Sequence, residues 1–128
     1  MKNEIVETRV ARLWWADDGI FWVVILPNVE VDAPDIDEVF QSRLQLTGHT
    51  SVPIYTDLRA IRSATRKALL RSGHTDVQAG ITAIGVSISS PVSRFVGTFF
   101  MRLSRLPYPF KIFTSEEEAL NWLKDFID

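Results

Sequence analysis

The only two histidines stand in nearly identical tetrapeptides, Thr47-Gly48-His49-Thr50 and Ser72-Gly73-His74-Thr75. Imidazole is a common metal ligand and a base near neutral pH, so such a pair could share a metal or shuttle a proton. The alternative is that each Gly takes the left-handed position after a helix and each His lies near the negative end of that helix. We favour this alternative, because two histidines without Cys or carboxylate at metal-ligand spacing make a poor site. The sequence therefore predicts no metal and no cofactor.

A serine nucleophile is the next chemistry to consider. Ser63 or Ser90, either histidine and Asp57 could form a Ser-His-Asp set on paper. The chain has no Gly-x-Ser-x-Gly elbow to expose a serine, and it has no P-loop, Gly-rich dinucleotide turn or His-Glu-x-x-His motif. The absence of Cys also removes thiolate nucleophiles. We therefore predict no catalytic residues and no enzymatic activity.

A run of basic residues around the start of the second predicted helix is the best candidate binding feature. Free N–H groups and the helix dipole attract anions at such a point. We expect an anionic ligand or a protein partner to bind at Arg59, Arg62, Ser63, Arg66 and Lys67. The competing interpretation is that Arg62, Arg66 and Lys67 form the solvated side of an amphipathic helix.

Composition and charge limit the classes of function. At 128 residues and 46% hydrophobic, the chain is long enough for one core, so we predict one domain over residues 1–128. Residues 1–58 carry ten acids against four bases, residues 59–111 nine bases against one acid, and residues 112–128 five acids against one base. A basic middle can form an anion-binding face or can pair with acidic residues within or between subunits. A pI of 5.7 argues against a nucleic-acid binder.

The same composition suggests where the protein is found. The chain lacks Cys and any apolar run near the roughly 20 residues that a membrane span requires. We expect a soluble cytoplasmic protein with no membrane span.

The elements that must position these residues alternate between strand and helix in the last third of the chain, which requires parallel strands with helical crossovers. We predict an α/β fold with five strands and four helices. The strands are expected at 7–15, 20–26, 52–58, 81–88 and 110–113, and the helices at 33–47, 63–72, 91–106 and 116–126. The first strand is predicted to be the antiparallel edge, because Asp17-Asp18-Gly19 is typical of a hairpin turn.

Two apolar surfaces of these elements could meet a ligand or a partner. Alternation along the fourth predicted strand puts Ala83, Gly85 and Ser87 on one face, where a helix or a ligand could come close. On the third helix Phe100 falls at the margin of the apolar arc and Met101 falls outside it. We therefore expect a homodimer with a contact at Phe100 and Met101.

Several motifs carry a family resemblance over nearly the whole chain. They are Pro53 to Arg59 with a helix after it, Ser89-Ser90-Pro91 to Phe113, and Glu117 to Leu123. The chain resembles the SpoIIAA-like family of bacterial proteins, with the STAS and CRAL-TRIO type of fold. The resemblance implies a mixed, mostly parallel sheet and a non-catalytic interaction module of unassigned role, with a regulatory protein partner or an anionic ligand.

In the anti-anti-sigma members of that family, a strand ending in Asp leads to an Asp-Ser-Ser-Gly loop in which one Ser is phosphorylated. Asp57 matches the end of the strand, but the loop here reads Arg62-Ser63-Ala64-Thr65. Because Ala64 falls on or next to the acceptor position, an ordinary phospho-switch is not expected, and the alternative is that Ser63 or Thr65 is the acceptor after a shift of the alignment by one residue. The alternative function is a small-molecule or lipid carrier that uses an apolar pocket, by analogy of fold. An enlarged apolar pocket would favour the carrier, and a filled core with an exposed loop after the third strand would favour the interaction module.

Overall fold

The strands form one six-stranded sheet and one two-stranded sheet in a computed structural model that describes residues 4–103 and 106–127. The strands are β1 (Val6–Glu7), β2 (Ala11–Trp15), β3 (Phe21–Ile25), β4 (Glu30–Val31), β5 (Val52–Asp57), β6 (Ser63–Ala64), β7 (Ile81–Ser87) and β8 (Phe110–Phe113). The large sheet has the order β1-β2-β3-β5-β7-β8. Its first three strands pair antiparallel, and the remaining pairs are parallel.

The helices connect the parallel strands. They are α1 (Ala33–Thr47), α2 (Arg66–Ser72), α3 (Thr75–Gln78), α4 (Pro91–Leu103) and α5 (Glu116–Leu123), with a 3₁₀ turn at Lys124–Phe126. None of the described helices is long and apolar enough to cross a bilayer.

Two apolar clusters cover the two faces of the large sheet. Val23, Ile54, Ile84 and Val86 face one cluster, which α1, α2 and α4 cover. Tyr55, Ala83, Ala119 and Leu123 form the other cluster, under α5. The predicted small face of β7 is confirmed there, since an added Cβ at Gly85 would lie 3.2 Å from the side chain of Leu123. A helix occupies this face, so it offers no room for the ligand that the sequence also allowed.

The predicted fold class, α/β with a mostly parallel sheet and antiparallel first strands, is confirmed, but the described residues form eight strands and five helices instead of five and four, and two predicted elements differ in position. The edge strand is the short β1, so β2 is interior. The second helix begins at Arg66 rather than Ser63, because Ser63–Ala64 pairs in parallel with Glu30–Val31. The predicted extension of the third helix to Leu106 runs through residues 104 and 105, which lie outside the described residues.

The start of α1 is fixed by a capping box and an ion pair. The N-cap Asp32 accepts a hydrogen bond from the N–H of Ala33, and Asp35 accepts one from the N–H of Asp32 at 2.8 Å. Asp35 also accepts two bonds from the guanidinium of Arg9, one of them from Nε at 3.0 Å. The hydrogen bond from Arg9 is the largest cause that holds the pKa of Asp35 below its ordinary value. These bonds tie the first turn of α1 to the chain before β2.

The buried face of α4 is rotated from the predicted one. The helical spacing of the apolar residues in α4 predicts that Val92 and Phe95 are buried, but Phe95 is 60% exposed and Val92 is 40% exposed. The helix instead buries Ser93, Val96 and Gly97. Ser93 faces inward because its hydroxyl accepts hydrogen bonds from the N–H groups of residues 89 and 90 and so caps the helix.

Candidate functional site

An apolar cavity of about 190 Å³ lies between the large sheet and the helices α1, α2 and α4. Strands β3, β5 and β7 and all three helices contribute to its wall. The lining includes Phe21, Val23, Ile54, Ile84 and Val86 from the sheet and Ile36, Val39, Ala68, Val96 and Phe100 from the helices. Such a void is large for a close-packed interior, where most empty spaces are no larger than a water molecule. The wall is suited to an apolar guest.

Arg43 is the one charged residue in the described wall of this cavity. Its side chain comes from α1, one turn beyond Phe40, and the residue is only 5% exposed. The Nη2 atom donates hydrogen bonds to the carbonyl oxygens of Val77 at 3.1 Å and Ala79 at 2.9 Å. The guanidinium carbon lies 5.4 Å from the centre of the Phe40 ring. No carboxylate in the described part of the chain lies within ion-pair distance of Arg43, and burial lowers its pKa.

Tyr108 contributes a further polar side chain to a wall that also includes Thr56 and Ser72. The residue is 7% exposed, lies between two prolines, and its hydroxyl has no hydrogen-bond partner. Burial raises the pKa of Tyr108 to about 12, and the positive charge of Arg43 acts in the opposite direction. Neither Arg43 nor Tyr108 is among the site residues predicted from the sequence.

The predicted basic site is only partly available. Arg59 forms ion pairs with Asp57 at 2.8 Å and with Glu116 at 3.3 Å. Arg71 likewise pairs with Asp37 and Asp76. Arg62, Arg66 and Lys67 are exposed and form no ion pair with any described residue. Of the predicted basic residues, these three remain free to meet an anion.

The hydroxyl groups beside these bases are already engaged. Ser63 donates to a carboxylate oxygen of Glu30 at 2.8 Å, from within β6. Thr65 is the N-cap of α2: its hydroxyl accepts from the N–H of Ala68 and donates to Asp32 at 2.7 Å. Both hydroxyls therefore hold the β4–β6 pair and the start of α2 together.

The two Gly-His pairs adopt different conformations. Gly48 takes the left-handed conformation with φ of 58°, as predicted, and His49 after it also has a positive φ. The same prediction is wrong for Gly73, whose φ is −85°, because the chain there continues directly into α3 with His74 as its N-cap. Both histidines are exposed. Within the described ranges, no three His, Asp or Glu side chains cluster as metal ligands would.

The two residues predicted for a dimer contact differ in their surroundings. Met101 is 42% exposed. Phe100 lines the cavity, and its ring centroid lies 5.3 Å from that of Phe110. Of these two residues Met101 is exposed and Phe100 is partly buried, and Phe95 adds an exposed ring to α4.

Comparison with known proteins identifies the family to which this sequence belongs. The sequence profile described as "Domain of unknown function (DUF7793)" matches residues 14–127. No curated protein matches the sequence significantly. Among solved structures, the chain is similar to an uncharacterized protein of the DUF3478 family with a SpoIIAA-like fold, from Shewanella loihica PV-4. The TM-score is 0.56 at 14% identity, and the match covers 94% of this chain and 90% of that one. The likeness supports the SpoIIAA-like fold that the sequence motifs suggested.

Proposed function

Since the chain belongs to the DUF7793 family of domains of unknown function, we propose from its cavity that it is a non-catalytic domain that binds a small apolar molecule. This was the alternative function, and the observation that supports it is the apolar cavity of about 190 Å³ under α1, α2 and α4. The ligand site differs from the small strand face considered for the carrier, because α5 packs against that face. The absence of Cys makes a reducing compartment such as the cytoplasm the proposed setting.

The energetics favour an occupied cavity. An enclosed void of 190 Å³ destabilises a domain by roughly 4–5 kcal/mol at about 24 cal/mol for each Å³, and this cavity, which opens partly to solvent, costs less than that. A domain of this kind has a total stability of only about 5–15 kcal/mol. A ligand that fills the space restores the lost dispersion contacts and stabilises the native state by mass action. The cavity is also slightly larger than a void of about 150 Å³ that stays dry and binds benzene.

Titration calorimetry with 1-octanol and with butylbenzene tests this proposal. Saturable binding with one site per chain is expected, together with a rise in the midpoint of thermal unfolding. Ala68→Phe should abolish binding by filling the cavity, because Ala68 lines its wall. Ala60→Phe introduces the same ring at an exposed position and serves as the control. If neither compound binds the wild-type protein, the proposal is wrong.

The exposed bases Arg62, Arg66 and Lys67 support a second candidate function, the binding of a protein partner or an anionic ligand. Their side chains are solvent-exposed and lie near one another in sequence around β6 and the start of α2. Titration with a panel of nucleotides and phosphopeptides should show salt-sensitive binding that Arg62→Ala with Arg66→Ala weakens. Arg94→Ala removes an exposed base from α4 and is the control. Absence of salt-sensitive binding would leave these bases as a solvated surface.

We also propose that the protein forms a homodimer through the side of α4 that carries Met101. The exposed apolar side chain supports this, and so does the charge distribution, because residues 59–111 carry +8 while residues 112–128 carry −4. Twofold dimers are the commonest oligomers.

A further inference from the structure

We propose that the natural ligand of the cavity is a small amphipathic carboxylate whose head group binds Arg43 and Tyr108. This inference rests on the proposed function, and it specifies the chemical class of the ligand. The apolar wall receives the hydrocarbon part, and the two polar side chains receive the charged end.

Arg43 is the first observation. A guanidinium has five N–H donors, and the described residues provide acceptors only at the carbonyl oxygens of Val77 and Ala79. Burying a cation without an anionic partner is strongly unfavourable, and carbonyl groups offset only part of that effect. The chain contains ten acids in residues 1–58 alone, yet none pairs with Arg43. The missing counter-charge is therefore expected from outside the chain.

Tyr108 is the second and independent observation. Its hydroxyl is buried in the cavity wall and has no partner, and Gln78 Nε2 is the only other such side-chain atom among the described residues. Buried polar groups in native proteins are nearly always hydrogen-bonded. A phenol hydroxyl is a donor, so an anionic oxygen next to Arg43 would satisfy it as well.

The chemistry of Arg43 limits the head group of the ligand, and the volume of the cavity limits its tail. The planar guanidinium can bind carboxylate or phosphate through two parallel hydrogen bonds. Only one cation lines the described cavity, so a singly charged carboxylate is neutralised, whereas a phosphate monoester would bring a second, uncompensated charge. A void somewhat larger than one that binds benzene holds a ligand on the order of ten non-hydrogen atoms. Octanoate has this size, and octanamide is its uncharged counterpart of the same shape.

Calorimetric titration of the full chain with octanoate and octanamide tests the inference. The wild-type protein should bind octanoate at least about tenfold more tightly than octanamide, the smallest difference expected for a hydrogen bond to a charged group. Arg43→Met keeps an apolar side chain of similar length in the wall. This variant should lose the preference for octanoate, with its affinities for octanoate and octanamide equal to within about threefold. Tyr108→Phe should weaken octanoate binding several-fold, and Arg12→Met, which removes an exposed base from β2, should change neither affinity.

Three results would overturn the inference. Equal affinities of the wild-type protein for octanoate and octanamide would show that no charged head group is recognised, and this comparison does not depend on any variant folding. A preference for octanoate that survives in Arg43→Met would place the carboxylate elsewhere. Failure of both compounds and of the uncharged probes to bind would remove the proposed function itself, which distinguishes that failure from a wrong head group.

Discussion

Ala68→Leu probes the empty volume directly, without any ligand. Ala68 is 1% exposed, lies in α2 and lines the cavity. Leucine adds three carbon atoms, and each buried methylene contributes about 0.8 kcal/mol, so the upper limit of the gain is about 2.4 kcal/mol. Loss of side-chain rotamer freedom removes roughly 0.5–1 kcal/mol of that gain. We therefore expect the free energy of unfolding to rise by about 1–2 kcal/mol, in contrast to the usual effect of enlarging a buried side chain.

Urea and thermal unfolding of the ligand-free protein measure the effect. For a chain between 100 and 150 residues, each kcal/mol of added unfolding free energy raises the midpoint of thermal unfolding by about 3–5 °C. We therefore expect the midpoint of Ala68→Leu to rise by roughly 3–10 °C. Ala83→Leu is the matched control. Ala83 is fully buried in the cluster under α5 and does not line the cavity. The same substitution there should destabilise the domain by about 1–3 kcal/mol, because a well-packed core has no space for the added atoms.

Equal changes in the free energy of unfolding for Ala68→Leu and Ala83→Leu would contradict an empty space beside α2. A loss of stability in Ala68→Leu as large as that in Ala83→Leu would show that the space beside α2 is filled in solution. The binding proposal would then lose the observation on which it depends.

Four further substitutions test other parts of the structure. Gly97→Ala should stabilise α4 by up to about 1 kcal/mol, because the new Cβ makes only ordinary van der Waals contacts. Gly85→Ala should instead destabilise the domain, because its Cβ would lie 3.2 Å from the buried side chain of Leu123. Chemical denaturation of the two variants measures both effects. Asp35→Asn should lower the free energy of unfolding at pH 7 by about 1 kcal/mol through the weakened helix cap. Arg9 keeps the pKa of Asp35 below its ordinary value of 3.8, so the stabilisation from ionised Asp35 is complete above pH 3.8 and is lost as the pH falls through the lower pKa of the folded state. The difference in unfolding free energy between wild type and Asp35→Asn should therefore shrink in acid, which unfolding measured across pH can check. Met101→Glu should shift a dimer toward monomer in sedimentation equilibrium, and a single species near 14.6 kDa for the wild-type protein would contradict the dimer.

The local patterns that predicted the fold are those whose physical cause is local. The hairpin at Asp17-Asp18-Gly19 and the small face of β7 each follow from the conformation or size of single residues, and the structure contains both. The predicted start of α2 at Ser63 was wrong because Ser63 and Ala64 pair as a strand with β4, which lies more than thirty residues earlier in the chain. Helical spacing in one segment carries no information about such a partner.

The cavity is not predictable from this sequence by the same reasoning. A void depends on the sum of side-chain volumes from β3, β5, β7 and three helices, and each of those elements alone has an ordinary apolar face. The residues that line it therefore have the pattern of a filled core.

Arg43 did leave a signal in the sequence. Ile36, Val39, Phe40 and Arg43 follow the i, i+3, i+4, i+7 spacing of one helix face, and all four line the cavity. Arg43 enters the predictions from sequence only as one of the four bases in residues 1–58. A base at the last position of an otherwise apolar face was a reason to expect a buried cation.

The division of the chain into acidic and basic segments is explained only in part by pairing within the molecule, since two of the nine bases in residues 59–111, Arg59 and Arg71, form ion pairs with described residues. Arg59 reaches back to Asp57 and forward to Glu116, and Arg71 reaches Asp37. These pairs are partly solvated, so they contribute little to stability, but each cation has an anion beside it. Arg43 lies in the most acidic part of the sequence and is still the buried base without one. The other buried charged residue in the described part of the chain, Asp35, is compensated by Arg9. Because Arg43 has no such partner, its charge at the cavity wall is best explained by an anionic group that a ligand supplies.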